Sequence, residues 1–197
     1  MQPTSSISTS RGRAMTESLS KNLNALGLIA ITIVLGFAFT DQLINDDLPC
    51  PLCLLQRAGF ALAGFGLVLN LFHGQRARHY GLVILGALAG FAVAVRQIFL
   101  HIAPGTGSYG DAFIGLHFYT WAALLFGLIV LGSAVMLLID GGFRTTSERR
   151  STHPTGLALL AFGLFSLIVV ANAASTFAEC ELGLCADNPT QYELLEN

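Results

Sequence analysis

A chain of 197 residues has room for one domain of ordinary size. Hydrophobic residues make up 53% of it and charged residues 11%, less than half the roughly 25% charge of a soluble protein, which excludes an ordinary soluble fold. A net charge of −2 without a basic stripe gives nucleic acid nothing to bind.

The first segment, residues 1–22, is polar, carries Arg11, Arg13 and Lys21, and reads as a disordered cytoplasmic tail, with Met1 or Met15 as the start. The apolar run after it is too long for the h-region of a signal peptide and lacks a small-residue cleavage site, so it is expected to be retained. Five stretches nearly free of charge follow one another: 23–40, 54–72, 80–102, 118–139 and 156–174. Each approaches the roughly 20 residues that carry a helix across the hydrocarbon core. Backbone polar groups in lipid must be satisfied within the segment, so each is expected to be a helix. The fold class is therefore all-α, a polytopic membrane bundle. Its expected parts are a five-helix domain over 23–174 and an external carboxyl-terminal tail over 175–197.

Lysine and arginine orient the bundle. Arg11, Arg13 and Lys21 precede the first span; Arg76 and Arg78 lie between the second and third; Arg144, Arg149 and Arg150 lie between the fourth and fifth. The loops 41–49 and 103–117 and the tail after residue 174 contain neither lysine nor arginine. The amino terminus is then expected inside and the carboxyl terminus outside.

That topology puts all four cysteines on the outer face, as Cys50/Cys53 before the second span and Cys180/Cys185 after the fifth. An oxidising compartment there would let disulfides persist. Pro51 suits the first position of a helix, which puts Cys53 in the first turn, where the helix terminus favours a thiolate. Arg57 lies one turn further on, about 6 Å along the axis. A cation beside a helix terminus lowers a thiol pKa, so Cys53 is expected to be the reactive sulfur. Arg57 at that depth is costly and reads as functional, with snorkelling to the interface as the alternative for it and for Arg96. Cys180-Glu-Leu-Gly-Leu-Cys185 is an acidic segment with Gly183 near its centre, expected to be mobile and able to relay exchange to the first pair. Two inert structural disulfides in a partner-binding membrane protein are the alternative. A four-cysteine zinc site would lack the usual second short knuckle, and no other metal cluster is expected.

Cys50-Pro-Leu-Cys-Leu-Leu-Gln-Arg57 resembles the hallmark of the disulfide bond formation protein B (DsbB) family, and Arg96-Gln-Ile-Phe-Leu-His101 resembles that family's arginine-to-histidine stretch. The resemblance covers the first four helices and implies a four-helix core, here with a fifth helix added. It implies a quinone-dependent oxidoreductase of the bacterial inner membrane, acting with a periplasmic DsbA-like thiol oxidase of the thioredoxin fold. Catalysis would fall to Cys50, Cys53, Cys180 and Cys185. Cys53 would contact the quinone, whether ubiquinone or menaquinone, and Arg57 would hold its head group, with Gln56, Arg96 and His101 as further quinone-side residues. Cys50 would receive electrons from the second pair. The chain departs from the family pattern in one place: the loop 103–117 has no cysteine, and the second pair follows the fifth helix. Which of Cys180 and Cys185 meets the partner stays open.

Lesser signals complete the reading. Gly86 and Gly90, with Ala58, Gly59, Ala63 and Gly66, permit close helix packing. His73, His79 and His153 are expected to be solvated beside cytoplasmic arginines. Tyr119 and Trp121 suit an interfacial aromatic belt. The segment from Asp111 to His117 is expected on the membrane surface, burying Phe113, Ile114 and Leu116.

Overall fold

The computed structural model describes residues 6–45, 47–103, 105, 107, 112–139, 154–181 and 183–195, with side chains from Ser18 onward. Five helices carry the fold: α1 (Ser6–Ile44), α2 (Pro51–His73), α3 (Ala77–His101), α4 (Phe118–Ile139) and α5 (Gly156–Cys180). All five are long and apolar enough to cross a membrane. The protein is a multi-pass helical membrane protein. Two boundaries differ from expectation. The first helix begins at Ser6, within the tail expected to be disordered, and α5 runs on through Cys180, so the tail's first cysteine closes a helix. Arg144, Arg149, Arg150 and His153 lie outside the described residues.

Sequence explains the helix starts. Thr155 caps α5 by accepting from Ala158 N–H at 3.2 Å, and Pro51 opens α2 where a missing N–H costs nothing. The helices pack in the spatial order α5–α1–α2–α3–α4, with α2 against α3 the most extensive pair. Leu28, Ile31 and Leu35 of α1 recur at helical spacing and are buried with Phe60, Ala63 and Leu67 of α2. Large apolar side chains such as Leu26, Leu85, Leu128 and Leu167 point outward. Such surfaces would be a liability in water and are the expected contact with lipid tails.

Small residues let the central helices touch. A Cβ at Gly59 would lie 2.8 Å from the Cα of Gly90, and one at Gly86 would lie 2.7 Å from the backbone nitrogen of Ala63. A Cβ at Gly90 would strike the ring of Phe126, which stacks on Phe60 with centroids 3.9 Å apart. The glycines thus serve packing inside the bundle. Gly90→Val should lower stability by about 1–3 kcal/mol through overpacking, read as an earlier thermal transition in detergent; an unchanged transition would contradict this packing.

A buried polar cluster joins α1, α2 and α3 at the end remote from the cysteines. Asn24 donates to Tyr80 Oη at 2.8 Å, and Asn70 donates to Asn24 Oδ1 at 3.0 Å. His79 Nδ1 lies 3.2 Å from Asn70 Oδ1. His79 is therefore buried in this cluster, against the expectation of a solvated residue, because Asn70 of α2 and the carbonyl of Gly74 just beyond that helix meet its ring. His73 is exposed as expected.

Candidate functional site: two disulfides and the cavities beneath them

The first pair sits where α2 begins. Cys50 is the N-cap residue of α2, and its sulfur accepts from Cys53 N–H at 3.2 Å. That short span closes a Cys50–Cys53 disulfide with Cα atoms 5.0 Å apart. The helix-terminal amide therefore points at the Cys50 sulfur, a detail hidden in the sequence because cysteine is not among the usual capping residues. Cys50 is buried at 6% exposure, whereas Cys53 is half-buried.

Cys53 lines a cavity of about 330 Å³. The cavity exists because α1 and α4 share no extensive contact, leaving a gap whose floor is α2. Its walls are mostly apolar, with Ile33, Phe37, Phe60 and Leu125, and its polar groups are Gln56, Arg57, Gln97, Asp41 and Asp47. A hairpin covers one side: β1 (Ala112–Phe113) pairs antiparallel with β2 (Leu116–His117). Ile114 and Gly115 at its turn both have positive φ, 51° and 79°, as a two-residue type I′ connection requires. Phe113 lines the cavity, against Phe37 at 5.4 Å and Trp121 at 6.5 Å, yet is 44% exposed, and Ile114 beside it is 76% exposed, so the apolar side chains expected at the membrane surface stay on the outside of the protein. Asp111 lies outside the described residues.

Arg57 is half-buried and lies between α1 and α5. It donates to Gln42 Oε1 at 2.7 Å, Asn172 Oδ1 at 3.2 Å and Ala38 O at 2.9 Å. A guanidinium has five N–H donors, so two remain after these three bonds. The side chain is held by acceptors within the bundle, and snorkelling does not describe it. Asp41 and Glu179 supply the nearby negative charge. Glu179 is buried at 3% exposure, and neither carboxylate oxygen has a hydrogen-bond partner among the described residues.

The other expected quinone-side residues separate. Gln56 lines the cavity, donating to Gln97 Oε1 at 2.6 Å. Arg96 is exposed on the outside of α3 and does not line the cavity, because a helix turns about 100° per residue and it is the next residue, Gln97, that points inward. His101 is half-buried and stacks on Tyr119 at 5.6 Å, so Tyr119 rather than His101 forms the wall. His117 stacks on the other side of Tyr119 at 5.3 Å. Tyr119 is buried, and Trp121 donates to Phe113 O at 2.9 Å, so both serve the cavity mouth as well as any interface.

The second pair lies against a neighbouring cavity of about 600 Å³ between α1, α2 and α5. Cys180 and Cys185 form a disulfide with Cα atoms 4.7 Å apart. Cys180 is 4% exposed at the end of α5, Cys185 is half-exposed, and Leu184 beside it is 97% exposed. Arg57 and Leu35 line both cavities, so these two side chains stand between the two sites. Beyond the disulfide the tail returns to the bundle, where Tyr192 Oη accepts from Gln42 at 2.8 Å and a short helix (Glu193–Leu195) packs on α5. The tail is thus anchored at both ends of its disulfide loop. Gln42, Asn172, Glu179 and Tyr192 escaped the sequence reading; polar residues within or beside apolar spans were the available signal.

Among the described residues, five membrane-length helices with two disulfides at one end define a multi-pass membrane protein with paired cysteines. The chain belongs to the disulfide bond formation protein B family. Residues 20–109 match the family model "Disulfide bond formation protein DsbB", ending before α4 and so short of the four helices over which the sequence resemblance was drawn. Disulfide bond formation protein B of Marinobacter nauticus is 36% identical, with 53% of this chain and 84% of that protein covered. Its namesake in Nitrosomonas eutropha is 35% identical over 47% of this chain and 63% of that protein. That of an Azoarcus species is 45% identical over 36% and 45% respectively. No solved structure matches.

Proposed function

We propose that the protein reoxidises a periplasmic thioredoxin-fold dithiol oxidase and passes the electrons to membrane quinone, in the inner membrane of a bacterium with its carboxyl terminus outside. In this reading the helical bundle of residues 23–174 holds the acceptor and residues 175–197 form the redox arm. The observation that carries it is the position of Cys53 on the wall of an apolar cavity that also presents Arg57.

The cavity suits a quinone. Its volume falls within the few-hundred-Å³ range of small-molecule sites. Its apolar walls suit a ring and prenyl tail, while the two spare N–H donors of Arg57 and the amide of Gln56 suit carbonyl oxygens. A bound quinone would supply a two-electron, two-proton acceptor beside Cys53. The chain's own residues do the rest: α2 presents Cys53, Arg57 orients the head group, and Phe113 and Tyr119 limit water.

Exposure orders the sulfurs of the second pair. A partner thiolate would attack half-exposed Cys185, forming a mixed disulfide and releasing Cys180 as the thiolate. Cys180 would then attack Cys50, with Cys53 leaving as thiolate; the partner's second thiolate would displace Cys185 and leave as a disulfide, and Cys185 would close back on Cys180, freeing Cys50. Accordingly, Cys180→Ser, which keeps Cys185, should accumulate at least about tenfold more mixed disulfide with an oxidised thioredoxin-fold partner than Cys185→Ser, scored on non-reducing gels. The reverse ratio would exchange the two roles. The function itself is tested by quinone reduction in nanodiscs with a reduced thioredoxin-fold protein as donor. Absence of any donor-dependent quinone reduction would refute it.

A further inference from the structure

Gln97 is 1% exposed, yet it reaches the reacting atoms. Its Nε2 lies 3.4 Å from Cys50 Sγ and 3.6 Å from Cys53 Sγ. The amide's direction follows from its other end, where Oε1 accepts from Gln56 Nε2 at 2.6 Å. Turning the amide over would set two N–H groups against each other and a carbonyl oxygen against sulfur lone pairs. Both glutamines are buried in the wall of the Cys53 cavity, one from α2 and one from α3.

We infer that Gln97 is a catalytic residue of exchange at this pair, its amide N–H groups stabilising whichever of the two sulfurs carries the thiolate, with Gln56 as the positioning residue that aims it. In exchange an incoming thiolate attacks one sulfur and forms a new S–S bond there. The Cys50–Cys53 bond breaks, and the other sulfur leaves with the bonding electron pair. A disulfide sulfur is a weak acceptor, whereas a thiolate is a charged one, so the same N–H contact strengthens when the bond opens. It therefore favours the reduced state over the oxidised one. A neutral amide does this without adding another ion to a low-dielectric region, where a charge is costly. Because Nε2 has two hydrogens and faces both sulfurs, it serves attack at either cysteine without moving.

The inference rests on the proposed exchange at Cys50–Cys53 and not on the identity of the final acceptor. Its test uses full-length protein in nanodiscs with Cys180→Ser and Cys185→Ser, so that the first pair alone reports. Glutathione buffers set the redox equilibrium, and thiolate absorbance against pH gives the thiol acidity. Gln97→Leu should raise the lower thiol pKa by about one unit. It should also move the glutathione equilibrium about tenfold toward the disulfide, equivalent to about 30 mV for this two-electron couple. Gln56→Leu should shift both in the same direction by less, since it frees the amide without removing it. Gln97→Met, of similar length and flexible, provides the same reading where leucine packs badly. Unchanged acidity and equilibrium in a folded Gln97→Leu or Gln97→Met protein would overturn the role, since a purely structural glutamine would alter only thermal stability. A wild-type pair that glutathione cannot reduce at all would overturn the exchange reading along with it.

Discussion

Serine at position 53 should reduce donor-driven quinone reduction to less than about a thousandth of the wild-type rate, the scale of loss seen when a covalent nucleophile is removed. The expectation follows from access. Cys53 lies on the cavity wall, whereas Cys50 is 6% exposed and is absent from that wall. An acceptor in the cavity is therefore reached by one sulfur of the pair, and a hydroxyl can neither form the disulfide nor carry the electrons. Cys50→Ser makes the matched control. Serine is a good N-cap, so α2 keeps its start while the sulfur proposed to receive electrons is lost. Both variants should be inactive and both should remain helical. Loss of quinone bleaching is the readout, and undiminished bleaching in Cys53→Ser would reject Cys53 as the donor.

Arg57→Met should raise the KM for a soluble quinone analogue by roughly 10- to 100-fold, about 1.4–2.7 kcal/mol of binding. It should also lower thermal stability, because Gln42 Oε1, Asn172 Oδ1 and Ala38 O lose their shared donor. Leaving such a buried group unpaired costs about 1–3 kcal/mol, less where neighbours or water adjust. The two effects separate with further variants. Asn172→Leu removes only the tie to α5, so stability should fall with little change in KM. Arg57→Lys keeps the charge but not the planar fork, so KM should fall between wild type and methionine. A KM unmoved in Arg57→Met, with stability lowered, would make Arg57 a cross-tie between α1 and α5 and nothing more.

Much of this protein was open to reading before its fold. Charge-free runs of membrane length announce helices because lipid offers the backbone no other partner, and all five appear. Cys50-Pro-Leu-Cys announces a helix start because its chemistry is local: proline tolerates the first turn, and three residues suffice to close the disulfide. Arg57 stood out because a cation in an apolar run has few innocent explanations. In each case the deciding forces act within one segment or between that segment and its solvent.

What failed was what depends on a neighbouring helix. Arg96 and Gln97 are adjacent in sequence, and only the rotation of α3 against α2 decides that the glutamine faces the sulfurs and the arginine does not. The burial of His79 depends on Asn70 and Gly74, which reach it from α2 and its C-cap rather than from its own helix. The return of the tail depends on Gln42 meeting Tyr192, 150 residues away. By itself, the sequence determined the five described helices and the cysteine pair that opens α2, because hydration and local geometry act residue by residue. Only the tertiary structure decided which polar side chain meets which sulfur, where the cavities lie, and that Arg57 stands between them. Those outcomes depend on the rotation and spacing of whole helices, which no single segment encodes.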